Sequence, residues 1–176
     1  MKFCNQCGSP VASRIPEGDD RPRFVCENCE HIHYQNPRVI VGCVPEVDGK
    51  ILLCKRAIQP RQGYWTLPAG FMENGETSVQ GAARETWEEA RARVGDQQLY
   101  RLFDLPYISQ VYMFYRATVV AGEFGVGPES SAVELFAEHE IPWREIAFPV
   151  VRDTLKEYFS DRRNDHYPVR VSSITR

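Results

Sequence analysis

The 176-residue sequence has no run approaching the roughly 18 apolar residues that a membrane-spanning helix needs, and its start, MKFCNQCGSP, carries no apolar leader. Neither a membrane anchor nor an export signal is expected, so the expected compartment is a reducing cytoplasm. There is no excess of positive charge: 21 Lys and Arg face 24 Asp and Glu, a net charge of −3. Without a basic footprint, neither a nucleic-acid backbone nor a membrane surface is an expected partner. Internal repeats and low-complexity tracts are missing too, which excludes solenoids and long linkers. Apolar residues are in ordinary supply, at 43% with 26% charged, so the disordered class is excluded as well. The length holds one main domain and a small appendage.

Large apolar side chains are scarce in one stretch, residues 1–36, which carries Pro10, Pro16, Gly18 and Pro22 instead. Such a segment cannot build its own core and needs a staple. It holds four of the six cysteines: Cys4, Cys7, Cys26 and Cys29 form two CxxC pairs with eighteen residues between them. That spacing is a metal site's rather than a disulfide framework's. Two CxxC turns at the ends of a short hairpin would set four thiolates around structural Zn2+, and Gly8 suits the tight turn after Cys7. His31 and His33 are alternative ligands, and a redox pair or iron site is the alternative chemistry. The stretch is slightly acidic, with Lys2, Arg14, Arg21 and Arg23 against Glu17, Asp19, Asp20, Glu27 and Glu30. This argues against a grip on nucleic acid. Cys43 and Cys54 fall in strand-like runs and are expected to be buried, inert thiols.

After Asn36-Pro37 the texture changes. Arg38–Val47 and Lys50–Lys55 read as strands joined by the hairpin turn Asp48-Gly49. A Pro- and Gly-rich loop follows, and then a helix begins at Thr77, which forms a capping box with Gln80. Val79, Ala82, Ala83, Thr86, Trp87 and Ala90 recur at helical spacing and predict one buried stripe. Gln98–Leu105, Gln110–Val120 and, more weakly, Val133–Ala137 read as strands, and Phe148–Phe159 reads as a second amphipathic helix. The polar tail from about Arg162 is expected to be partly mobile. Strands around two helices predict an α/β class with a mixed sheet and helices on its faces.

On the first helix Glu85, Glu88 and Glu89 fall at i, i+3 and i+4 and share one face, placed by the periodicity opposite Val79, Ala83 and Trp87. Like charges at this spacing repel by a few tenths of a kcal/mol per pair, and ordinary solvated faces interleave lysine. Clustered carboxylates on a rigid helix are the preferred ligands of Mg2+ or Mn2+, which in turn bind phosphate oxygens.

The surroundings extend this pattern. Gly70, Glu76, Arg84-Glu85 and Glu88-Glu89 stand at the spacing glycine, five residues, Glu, seven residues, Arg-Glu, two residues, Glu-Glu. In these six positions the chain resembles the Nudix hydrolases. It departs from their box at Arg91, where the family has glycine, and at Thr86 and Ala92, where larger aliphatics are common. The four-cysteine segment, the Tyr34–Pro37 junction, the Leu52–Arg56 strand end and the Trp65–Phe71 approach are together similar to zinc-ribbon Nudix hydrolases, in the group of plant-type FAD and ADP-ribose pyrophosphatases.

The resemblance implies a Nudix α/β/α sandwich over 37–176 preceded by a zinc-ribbon domain over 1–36. It implies hydrolysis of the pyrophosphate of a nucleoside diphosphate linked to another moiety, a small dinucleotide-type substrate. Glu85, Glu88 and Glu89 are carried over as Mg2+ or Mn2+ ligands, with the Ala69 carbonyl beside Gly70 as a further contact. Arg84 orients the glutamates and Glu76 supports the loop. The general base is Glu89 or Glu129, the latter matching a loop position in the group. Arg56 is placed as a phosphate or adenine-ribose contact, and Trp65, Tyr107, Tyr112 or Phe114 as a base-stacking residue or plain core. NADH pyrophosphatases carry Ser-Gln-Pro-Trp-Pro-Phe after the box, whereas this chain has Ile108-Ser109-Gln110-Val111-Tyr112-Met113. ADP-ribose or FAD is therefore the expected substrate. Two other classes stay open: a nucleotide-sensing regulator whose ribbon docks nucleic acid or protein, and a ribbon that supports a homodimer.

Overall fold

A computed structural model describes residues 1–120 and 123–175, and the chain divides into two units, Met1–Pro37 and Arg38–Arg176. Residue 176, the end of the expected second domain, lies outside the described residues.

The first unit is a three-stranded antiparallel sheet of β1 (Val11–Arg14), β2 (Arg23–Cys26) and β3 (Ile32–His33). Its buried side chains are few: Cys4, Val25, Cys26 and His33. Gly8, at φ +74°, closes the turn after Cys7 as expected. Glu30 stands at the equivalent place after Cys29 and adopts φ 56°, a conformation that glycine would take without strain.

The second unit opens with the expected hairpin. β4 (Arg38–Val47) and β5 (Lys50–Arg56) turn at Asp48 and Gly49, both with positive φ, as a two-residue type I′ turn demands. The two strands pair directly only at Glu46↔Ile51 and Val47↔Lys50. Beyond that the hairpin splays, and the following segment fills the fork. β6 (Trp65–Thr66) pairs with β5 and β7 (Ala69–Phe71) with β4. Sequence alone read this segment as loop, because two- and three-residue strands show no period. Gly42 makes the fit possible, since a Cβ there would lie 2.5 Å from the Pro68 carbonyl oxygen.

α1 (Ser78–Ala90) follows, with the Thr77/Gln80 capping box formed. Then come β8 (Val94–Leu105), β9 (Gln110–Val119), β10 (Ser130–Phe136), α2 (Pro149–Arg162) and β11 (Arg170–Ser173). The sheet runs β10-β5-β4-β9-β8-β11, with β4/β9 and β8/β11 parallel and the other pairs on this path antiparallel. The tail expected to be mobile instead supplies β11, whose four residues are too few for an alternation signal.

Period-two alternation feeds two layers. Val44, Ile51, Leu53, Phe103 and Phe114 pack on Val150, Val151, Leu155, Tyr158 and Phe159 of α2. Val41, Cys43, Tyr115 and Ala117 pack on Ala82 of α1, and Leu52, Cys54 and Val119 on Ala90 and Ala92. The mixed sheet thus lies between two helices, the α/β/α arrangement that was expected. Each fully buried Leu or Phe contributes about 2 kcal/mol. Cys43 and Cys54 are buried, and burial pushes both thiols up, Cys43 to about 11.

The stripe on α1 differs from the expected one. Ala82, Thr86 and Ala90 are buried, but Val79 and Trp87 are each 40% exposed, and Gly81, Glu85 and Glu89 take the inner positions. Trp87 is covered instead by the guanidinium groups of Arg91 and Arg93, 5.7 and 5.3 Å from its ring. Thr86 fits an apolar site because its hydroxyl donates to the Ala82 carbonyl at 2.8 Å.

Candidate functional site

Two CxxC turns bring four sulfurs together in the first unit. Cys4 and Cys29 Sγ lie 3.7 Å apart, Cys7 and Cys26 Sγ 3.4 Å, and all four Sγ atoms fall within 4.8 Å of one another. A tetrahedron of Zn–S bonds of about 2.3 Å has edges of about 3.8 Å, close to the two shortest sulfur separations, so the donor set and its spacing fit a zinc ion. Backbone amides of Gln6, Asn28 and Cys29 point at Cys4 or Cys26 Sγ at 3.3 to 3.4 Å, the pattern that stabilises thiolates. Hydrogen bonds from Ser9 pull the Cys7 thiol down to about 5. Among the described residues His31 and His33 are not part of this group; they meet edge to face, 4.7 Å apart.

In the second unit the splayed hairpin sets α1 against β7. A Cβ on Gly70 would collide with the Glu85 carboxylate, and one on Gly81 would lie 2.6 Å from Glu76 Oε1 and 2.8 Å from Val41 Cγ2. These two glycines let carboxylates sit where a side chain would stand. Gly81 was not singled out from the sequence, although a glycine inside a helix is itself a signal of close packing.

Arg84 holds the carboxylates in place. Its Nε and Nη2 donate to the two oxygens of Glu76 at 3.0 and 2.8 Å, Nη2 also to the Phe71 carbonyl at 3.0 Å, and Nη1 to Glu85 Oε1 at 2.7 Å and Glu88 Oε2 at 3.0 Å. Every nitrogen of the guanidinium is engaged. Arg84, with help from the Glu73 amide, holds the Glu76 carboxyl down at about 2.

Glu85 and Glu89 are buried, while Glu88 is exposed. Burial pushes Glu89 up to about 8, and the Glu85 charge adds to the shift; Arg56 and the Ala69 amide oppose it. Burial also raises Glu85, against the pull of Arg84. Glu89 Oε2 is buried with no hydrogen-bond partner among the described residues. A carboxylate oxygen of this kind is costly unless a cation meets it. Oxygen donors from Glu85, Glu88 and Glu89 on one rigid helix, with one buried oxygen unpartnered, fit a hard divalent cation.

These groups line one end of a cleft of about 720 Å³, together with Arg56, Ala69, Gly70 and Glu129. Arg56 is fixed there: its Nε donates to the Pro60 carbonyl at 2.7 Å, and its guanidinium lies 5.3 Å from the centre of the Phe148 ring. Much of the remaining wall is apolar, with Ile40, Ile58, Leu105, Tyr112, Phe148 and Ile174 among its residues, beside the polar Gln59, Thr66, Glu73 and Gln110. Of the four aromatics considered for stacking, Trp65 is buried in the core against Phe136 and does not line the cleft. Tyr107, Tyr112 and Phe114 all line the cleft, with Phe114 buried and its ring stacked against that of Tyr112. Phe148 and Ile174 escaped sequence reading because α2 and the tail reach the cleft only through tertiary folding.

Residues 2–35 match the family described as Nudix N-terminal, and residues 36–157 match the NUDIX domain family. The crystal structure of a NUDIX hydrolase from Nitrosomonas europaea is alike over 100% of both chains, with 57% identity and a TM-score of 0.97. The NAD-capped RNA hydrolase NudC of Edwardsiella ictaluri is 32% identical over 130 residues, 73% of this chain and 48% of that protein. The ADP-ribose pyrophosphatase of Methanocaldococcus jannaschii is 33% identical over 116 residues, 62% of this chain and 67% of that protein. The chain thus spans about half the length of the NudC relative. A family match across most of the second unit, on top of the box geometry, settles the membership: the chain belongs to the Nudix hydrolase family.

Proposed function

We propose that this chain is a divalent-metal-dependent pyrophosphatase that cleaves a nucleoside diphosphate linked to a second moiety, ADP-ribose to AMP and ribose 5-phosphate or FAD to AMP and FMN. The carrying observation is the buried Glu89 oxygen, unpartnered among the described residues, beside Glu85 in a cleft that carboxylates and apolar side chains line together. In this reading residues 1–36 are a ribbon held by structural Zn2+ on Cys4, Cys7, Cys26 and Cys29, and residues 37–176 are the catalytic domain.

Glu85, Glu88 and Glu89 hold Mg2+ or Mn2+, and Arg84 and Glu76 keep their carboxylates aligned. A cation held there would supply charge neutralisation for phosphate oxygens and a more acidic bound water. Arg56, held rigid by the Pro60 carbonyl and the Phe148 ring, binds a non-bridging phosphate oxygen. Glu129 takes the proton of the attacking water as the water oxygen bonds to one phosphorus, and the bridging P–O bond breaks so that the bridging oxygen leaves with the other phosphate. The Ala69–Gly70 backbone lies against the diphosphate. The apolar wall of Ile58, Leu105, Tyr112, Phe148 and Ile174 supports a planar second moiety.

The test is a panel of FAD, ADP-ribose, NADH, dinucleoside polyphosphates and NAD-capped RNA with Mg2+ or Mn2+, with products identified. AMP released from FAD or ADP-ribose is the expected result. Faster turnover of NAD-capped RNA would overturn the small-molecule reading and keep the pyrophosphatase. Tight nucleotide binding without turnover of any substrate would favour a sensor.

A further inference from the structure

The last turn of α1 is capped from a distant part of the chain. A helix leaves its final carbonyls without internal partners. Here Gly125 N–H donates to the Ala90 carbonyl at 2.7 Å and Gly127 N–H to the Glu89 carbonyl at 3.0 Å. Gly127 is buried, and a Cβ on it would strike the Glu88 carbonyl oxygen and come within 2.8 Å of the carbonyl carbons of both Glu88 and Glu89. Its φ is not positive, so close approach rather than turn geometry calls for glycine here.

Directly after it, Ser130 N–H donates to the Gly127 carbonyl at 3.1 Å and closes a turn with Pro128 and Glu129 at its centre. The Glu129 carbonyl accepts from Ala57 N–H at 2.8 Å, which ties the far side of the turn to the residue after Arg56. Glu129 is thereby fixed between the end of the carboxylate helix and the strand that carries Arg56. It lines the same cleft as Glu85, Glu88 and Glu89, and its charge acts on both Glu85 and Glu89.

We infer that Gly127 is a positioning residue: by laying its backbone flat against the Glu88–Glu89 peptide, it docks the Gly127–Ser130 turn so that the Glu129 carboxylate faces the acidic end of the cleft. This rests on Glu129 acting as base in the proposed reaction. Gly127 touches no substrate and works through Glu129 alone. A side chain at position 127 lifts the turn off the helix and moves Glu129 away, while Glu85, Glu88 and Glu89 keep their places on α1.

The experiment is a double-mutant cycle in the full chain on the best substrate of the panel. Gly127→Ala is expected to lower kcat on the order of 10- to 100-fold with KM changed less than about 3-fold. Adding Glu129→Gln to it should cost nothing more, because the two changes remove one function. Amide hydrogen exchange supplies a readout independent of turnover: Gly125 and Gly127 amides are slow in the parent and fast in Gly127→Ala. If Gly127→Ala fails to fold, Pro128→Gly loosens the same turn from its exposed side, and a smaller kcat loss that Glu129→Gln again does not deepen gives the same support. An unchanged kcat, a full further loss on adding Glu129→Gln, or fast Gly127 exchange in the parent overturns the inference. A Glu129→Gln single variant with parental kcat removes the base assignment itself and the inference with it, which separates that failure from the others.

Discussion

Two clusters of arginine and carboxylate stand in the second unit, and their charge balance differs. Around Arg101 and Arg170, two guanidinium groups meet two carboxylates. Arg101 lies 2.8 Å from Glu157 and donates to Ser172, while Arg170 grips both oxygens of Asp161, which also accepts from Tyr100 at 2.7 Å. The Arg101–Glu157 contact is close without hydrogen-bond alignment, so it is an ion pair and little more. Around Arg84, one guanidinium serves Glu76, Glu85 and Glu88, and Glu89 and Glu129 share the cleft with only Arg56 added. A balanced cluster ties α2, β8 and β11 together. A cluster with surplus carboxylates is built for a cation the chain does not supply. The four thiols of the first unit extend the series, because among the described residues no cationic side chain bonds to them, which leaves their thiolate charge for a metal to balance.

The largest effect should come from the largest deficit. Zinc on the four thiols would contribute roughly 10 kcal/mol or more to a small lobe with so little core. Chelation at neutral pH, or Cys26→Ser, is expected to remove one zinc per chain and collapse the amide dispersion of residues 1–37 in an NMR spectrum. A ribbon that stays ordered with no metal bound would break the rule that a deficit means a cation.

The two arginine clusters separate next. Glu89→Gln keeps the shape and removes the ionisable group, so turnover should drop by about 1000-fold or more, with no loss of thermal stability in the metal-free protein because a neutral amide replaces a carboxyl whose ionisation burial opposes. Asp161→Asn should do the opposite, costing about 2 kcal/mol through the weakened bonds to Arg170 and Tyr100 while turnover holds. Paired melting curves and rates check both. If both variants lost stability equally and activity equally, charge balance would carry no information about role.

Much of this was readable beforehand. The box spacing placed Gly70, Glu76, Arg84, Glu85, Glu88 and Glu89 in one site, and Asp48-Gly49 and Thr77/Gln80 marked a turn and a cap, because these are local features with local causes. The stripe on α1 was misread because pattern reading puts charge outside. Glu85 and Glu89 face inward where a cation is due, and Val79 and Trp87 are left outside. Gly127, Phe148 and Ile174 were unreadable for a different reason. Each reaches the site through contacts made only after distant segments have packed.

The same imbalance predicts opposite responses to pH in the metal-free protein. Burial raises Glu89 from 4.5 to about 8, so between those values the folded chain keeps a proton that the unfolded chain releases. Stability therefore falls as pH rises through that window, by on the order of 2–4 kcal/mol when fully developed. Glu76, held at about 2 by Arg84, and Asp161, held down by Arg170, act the other way. Their contribution is present above the ordinary carboxylate range and is lost as pH falls below it. Melting temperature across pH should thus peak near pH 5, Glu89→Gln should flatten the alkaline side only, and Mg2+ should stabilise more as pH rises toward 8. A flat alkaline side in the parent would mean that Glu89 is ionised without a cation.

The smallest effect tests a charge outside both clusters. Arg91 ends α1 at φ 50° and ψ 21°, its N–H donating to the Trp87 carbonyl at 2.9 Å. The helix ends where the family's glycine would end it, and an L-residue held in this left-handed conformation costs about 1 kcal/mol. Arg91→Gly relieves that strain, gives back part of the gain as unfolded-chain entropy, and loses one of the two guanidinium groups over Trp87. The net expectation is a gain of about 0.5 kcal/mol, read as a small rise in melting temperature at unchanged turnover. Arg91→Ala is the control that loses the same cation–π contact and keeps the strain, so it should be less stable than the parent. Equal stability of the glycine and alanine variants would show that the strain at Arg91 is no larger than the unfolded-chain entropy that glycine adds, and would remove the expected gain.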